Sequence, residues 1–158
     1  MGMKVKMKVG NMNVSYDIHD ELYFDPEHVF DVIGEQASKL AWWSSLVVMK
    51  EQELADNGVR HDRLVAEVDA GIRASALDRG VKVTETAVKG LVTQNDEVFD
   101  GAIKLNKLKR DVGFLKAMAL GFKDRSALLA TSGSAQRAEL EARLRSMVGR
   151  TTESSKKE

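Results

Sequence analysis

The chain has 158 residues, 43% of them hydrophobic and 30% charged, with 24 basic and 24 acidic side chains. This is the length of one ordinary domain with a real core. The absence of cysteine excludes disulfides, thiolate metal sites and cysteine nucleophiles, and fits a reducing compartment. No stretch approaches the ~18 apolar residues that a membrane span needs. The opening MGMKVKMKV has no signal-peptide core, so the expected location is the cytoplasm.

Residues 3–18 read as a β-hairpin. Lys4, Lys6 and Lys8 alternate with Met3, Val5, Met7 and Val9, and Met12, Val14, Tyr16 and Ile18 alternate in a second run. Gly10-Asn11 between them tolerates the positive φ of a tight turn. Residues 1–20 are thus expected to form an arm or an oligomerisation segment, since a lone hairpin is marginal in water. Asp25-Pro26 reads as the N-cap and first residue of a helix that runs to Arg79. Its apolar stripe is Ile33, Ala37, Leu40, Val47 and Leu54, resuming as Leu64, Val68 and Ile72 beyond a kink or break at Asn57-Gly58. Gly80 is placed to close it.

Thr84 then suits the N-cap of a short helix, and Asn95-Asp96 ends that helix and caps the next. In residues 97–130, Val98, Leu105, Leu108, Val112, Leu115, Ala119 and Phe122 fall on alternating heptad positions, which predicts a long helix against the first. Thr131-Ser132-Gly133-Ser134 reads as a loop. Residues 135–149 read as a last amphipathic helix with Leu140, Leu144, Met147 and Val148 apolar, and residues 150–158 as a disordered tail. The expected architecture is mostly α: a long hairpin of two antiparallel helices plus short helices over 21–149, with an N-terminal β-hairpin.

Charge is unevenly spread. Residues 1–80 carry 9 bases and 14 acids, and residues 81–158 carry 15 and 10. Lys104, Lys107, Lys109, Arg110, Lys116, Lys123 and Arg125 form the densest basic block. Lys107 and Arg110 share a helix face with Lys104 or Phe114 by three- and four-residue spacing. A positive stripe of this kind is all that phosphate-backbone binding requires, although solvated helix faces look the same. His19, His28 and His61 are far apart and lack metal-ligand spacing, and neither a glycine-rich phosphate loop nor a nucleophile–base set is present. No enzyme activity, metal or cofactor is expected. Of Trp42-Trp43, helical geometry directs one indole to the core and leaves the other partly exposed.

The order of features resembles the UvsY-type recombination mediators of T-even-like phages, over about residues 23–129. The resemblance rests on the mid-helix tryptophans, Lys50-Glu51, Glu53-Leu54, the Ala70-Gly71-Ile72-Arg73-Ala74 helix end, and above all Gly80-Val81-Lys82-Val83-Thr84-Glu85 followed by Val88, Lys89 and Val92. Phe122, Arg125 and Leu129 close it. It implies a ring-forming homo-oligomer, in the host cytoplasm if phage-encoded, that binds single-stranded DNA. Such a protein displaces single-strand-binding protein and loads a RecA-like recombinase. The family's DNA-contacting segment maps onto Arg73, with Arg79 and Lys82 nearby. The chain departs from the family in having few bases there and an added lysine strand. The candidate DNA contacts are therefore Arg73, Arg79 and Lys82, then Lys104, Lys107 and Arg110, then Lys4, Lys6 and Lys8, with Tyr16, Tyr23 or Trp43 as stacking partners. The competing expectation is a helical-hairpin interaction protein, a phage assembly factor or chaperone, that binds no nucleic acid.

Overall fold

The computed structural model describes residues 4–25 and 28–154. Strands β1 (Lys4–Val9) and β2 (Met12–Asp17) form a two-stranded sheet. A short helix α1 (Ile18–Leu22) follows. Two long helices, α2 (Val29–Asp78) and α4 (Asp96–Ser154), pack antiparallel, with α3 (Glu85–Thr93) between them in sequence. The expected helical hairpin with an N-terminal β-hairpin is what the chain forms.

Local chemistry explains the element ends. Gly10 has φ +56° and carries the positive φ of the hairpin turn without Asn11. Asp17 caps α1 by accepting from the His19 amide at 3.0 Å, a five-residue helix that the sequence reading did not contain. Gly80, at φ +64°, closes α2 in a Schellman motif. Its amide bonds the Leu77 carbonyl and the Val81 amide bonds the Ala76 carbonyl, both at 2.9 Å. Thr84 and Asn95 cap α3 and α4 with side-chain oxygens that accept from the Ala87 and Val98 amides. The Asp25-Pro26 helix start lies partly outside the described residues, as does Met3.

The chain divides into two compact units. One comprises residues 1–5, 16–43 and 118–158. Its core holds Val29, Trp43, Met118, Phe122 and Leu129. Trp43 meets Tyr16 at 4.7 Å and Phe122 at 6.0 Å between ring centroids. Trp42 stays part-exposed and donates its indole N–H to the Tyr16 hydroxyl, so the two tryptophans divide as their 100° offset requires. The other unit comprises residues 6–15 and 44–117. There Val88, Val92 and Val98 form a buried cluster against Leu64, Val65, Val68, Ile72 and Val83.

Four sequence expectations are corrected. Asn57-Gly58 does not break α2. The Asn57 amide donates to the Glu53 carbonyl one turn back, and the helix runs on. Thr131–Ser134 is no loop. The Thr131 and Ser134 hydroxyls donate to the carbonyls of Ala127 and Ala130 four residues back, and buried Gly133 lets Ile33, Val29 and Phe30 approach, so α4 is continuous. The tail assigned to residues 150–158 is helical as far as Ser154, because α4 continues into it. The stripe on α2 is also displaced. Ile33 and Ala37 are exposed, whereas Val29, Gln36, Trp43, Leu46 and Lys50 are buried. Two of these five are polar, so a purely apolar pattern could not register them.

Candidate nucleic-acid interface

Each basic candidate takes its position from its element. Lys4, Lys6 and Lys8 occupy the exposed face of β1, while Val5 and Met7 are half-buried and Val9 is buried on the other face. Strand alternation alone produces this. Lys104, Lys107 and Arg110 are exposed at three-residue steps on α4. None of the three makes an ion pair with a described residue, nor do Lys4, Lys6 and Lys8. By contrast, Lys116 pairs with Glu51 at 2.7 Å.

The turn-around cluster is of a different kind. Arg73 is held between two carboxylates, Asp69 at 2.6 Å and Glu85 at 2.7 Å. These hydrogen bonds raise the guanidinium pKa above its ordinary value, and the Arg73 bond holds the Asp69 carboxyl below the usual carboxylate range. Arg73 thus ties α2 to the start of α3, and its charge is locally neutralised. Arg79 lies on the rim of a cavity of about 530 Å³ lined mainly by Val68, Ile72, Val81, Val83 and Leu91. Lys82 is exposed in the segment between α2 and α3.

Two basic side chains among the described residues are internal. Lys50, at 3% exposure, donates to the Lys8 carbonyl at 2.7 Å and to Glu53 at 2.9 Å, with Asp111 at 3.8 Å. It therefore joins β1, α2 and α4. Arg125, included in the basic block by sequence, is buried. It donates to the carbonyls of Glu21 and Tyr23 and lies over the rings of Phe24 and Phe122 at 5.7 and 5.5 Å. Desolvation lowers its pKa. Of the stacking candidates, Trp43 is buried in the core, Tyr16 is half-buried against it, and Tyr23 is exposed and stacked on His19 at 5.5 Å.

Sequence reasoning missed Arg60 and His61. With Asn57, Leu64, Gly101 and Lys104 they line a cavity of about 180 Å³. The available signal was heptad continuity: His61 lies on the inward seam of α2, and Gly101 takes the matching seam position on α4 between Val98 and Leu105. Among the described residues no group of three or more His, Asp or Glu side chains is placed to hold a metal ion. No described helix is long and apolar enough to cross a membrane. No family model, curated protein or solved structure matches the chain.

Proposed function

We propose that this protein is a phage-type recombination mediator that binds single-stranded DNA and loads a RecA-like recombinase in place of single-strand-binding protein. The observation that carries the proposal is the run Lys104, Lys107 and Arg110. These three exposed cations follow one another along one continuous helix, and no described acid pairs with them. Unpaired cations at such spacing suit a polyanion, because each neutralised phosphate releases counterions. The lysine face of β1 supplies a second positive row of the same character. The resemblance of Lys82-Val83-Thr84-Glu85 and the surrounding elements to UvsY-type mediators supports the loading role. With Arg73 committed to Asp69 and Glu85, the α4 row ranks first among the DNA contacts.

The test is a titration of fluorescently labelled oligonucleotide at several salt concentrations. Expected is binding with little sequence preference, weakened by salt with a slope of about −0.7 per phosphate neutralised. Reversing Lys104, Lys107 and Arg110 together flattens that slope while the oligomeric state stays as in the parent. Absence of oligonucleotide binding at low salt rejects the proposal. It would favour the reading as a helical-hairpin interaction protein, to which exposed Phe99 and Ile103, one turn apart on α4, would then belong.

A further inference from the structure

We infer that the cavity between Asn57, Arg60 and His61 of α2 and Gly101 and Lys104 of α4 is a binding notch for a single phosphate group. Two cations, Arg60 and Lys104, face one cavity of about 180 Å³, and neither makes an ion pair with a described residue. The acids one turn away do not bridge to them: Asp56 instead accepts from Gln52 at 2.8 Å. Other bases of α2 on either side are compensated, Arg63 by Glu67 and Lys50 by Glu53 and Asp111. Two like charges that converge without a counter-charge repel one another, and an anion between them removes the repulsion.

His61 adds a donor. A Cβ built on Gly101 would stand 2.6 Å from His61 Nδ1, so this nitrogen is pressed onto the glycine backbone. It is also buried without a hydrogen-bond partner. A proton there would point into the Gly101 backbone with no acceptor to meet it. The ring nitrogen open to act as a donor is therefore Nε2, the one not sealed against Gly101. Asn57 has one amide hydrogen committed to the Glu53 carbonyl and a second available. The notch thus offers guanidinium, ammonium, imidazole N–H and amide N–H, with no carboxylate among its lining residues, and a phosphate oxyanion is the acceptor that suits it. The volume admits one such group and no nucleoside.

The source of that phosphate rests on the function proposed above: Lys104 is shared with the α4 row, so a backbone phosphate of a bound single strand is the expected occupant. The experiment follows the His61 ring by 15N-resolved NMR while the whole protein is titrated with inorganic phosphate. Chloride at matched ionic strength is the control. The same protein and R60Q/K104Q are then titrated with labelled oligothymidylate. Expected are a saturable His61 shift with phosphate and not with chloride, and a salt slope in R60Q/K104Q shallower by about 0.7 for each notch covered. A parent that binds oligonucleotide, with His61 unmoved by phosphate and the double variant unchanged in slope, overturns the notch and leaves the proposed function standing. A parent that binds no oligonucleotide while its His61 shifts saturably with phosphate keeps the notch as a free-phosphate site and rejects the proposed function. No response to either ligand rejects both.

Discussion

At the scale of single residues, polar side chains in apolar positions organise this molecule. Lys50 occupies a place on α2 that a heptad would give to leucine. It is tolerated because its ammonium donates to the Lys8 carbonyl and the Glu53 carboxylate, with the Asp111 carboxylate 3.8 Å away as a further counter-charge. Lys50→Met keeps the apolar stem and removes the charge, leaving the Lys8 carbonyl without its donor. A loss of about 1–3 kcal/mol in urea unfolding is expected, because a part-buried acceptor loses its donor and two carboxylates lose their counter-charge. If Lys50→Met unfolds with the parent's midpoint, the ammonium is not what fastens β1 to the helices. Lys50 was visible in the sequence only as a base beside an acid. Its burial depends on partners 42 and 61 residues away, which no local pattern encodes.

At the scale of elements, the ends were legible and the middles were not. The Thr84, Asn95 and Gly80 signals each depend on an amide or carbonyl within a few residues, and all three perform as read. Gly80→Ala is expected to cost roughly 1 kcal/mol, since alanine is strained at φ +64°. Thr84→Ala is expected to cost about 1 kcal/mol through the lost cap. Both are measured as shifts in thermal unfolding, and no shift in either would show that α2 and α3 do not depend on these ends. The opposite held at Asn57-Gly58 and Thr131–Ser134, where residues of low helix propensity sit inside continuous helices. Propensity is worth about 1 kcal/mol or less at such a position, and packing along a long partner helix outweighs it. Amide hydrogen exchange checks this directly: the amides of residues 131–134 are expected to be protected like those of the flanking turns. Exchange there at free-peptide rates would restore the loop.

At the scale of the whole molecule, the exposed apolar surface argues for self-association. Residues 138–146 of α4 are exposed throughout, and Leu140 and Leu144 stand there one turn apart. Contiguous apolar surface of this kind marks interaction sites more often than solvated helix. Met147 and Val148, which complete the amphipathic pattern in sequence, lie beyond the side chains described. The chain is expected to sediment as a homo-oligomer at micromolar concentration, and L140E/L144E to shift it toward the monomer. Sedimentation of the parent as a monomer would remove the basis for a ring and for any continuous DNA track around one.

The sequence by itself determined the class of the fold, the hairpin and its Gly10 turn, the caps, and the lysine rows. These features follow from two- and three-to-four-residue periodicities and from hydrogen bonds closed within one turn. Only the tertiary structure decided which bases are free and which are committed. Arg73 reads as exposed and basic, yet Asp69 and Glu85 neutralise it. Arg125 reads as surface, yet backbone carbonyls of residues 21 and 23 draw it inside. Arg60 and His61 read as nothing in particular until Gly101 and Lys104 meet them across the helix pair. The physical reason is the same in each case: a charge is defined by what lies within a few ångströms of it, and antiparallel packing brings together residues that are tens of positions apart in the chain.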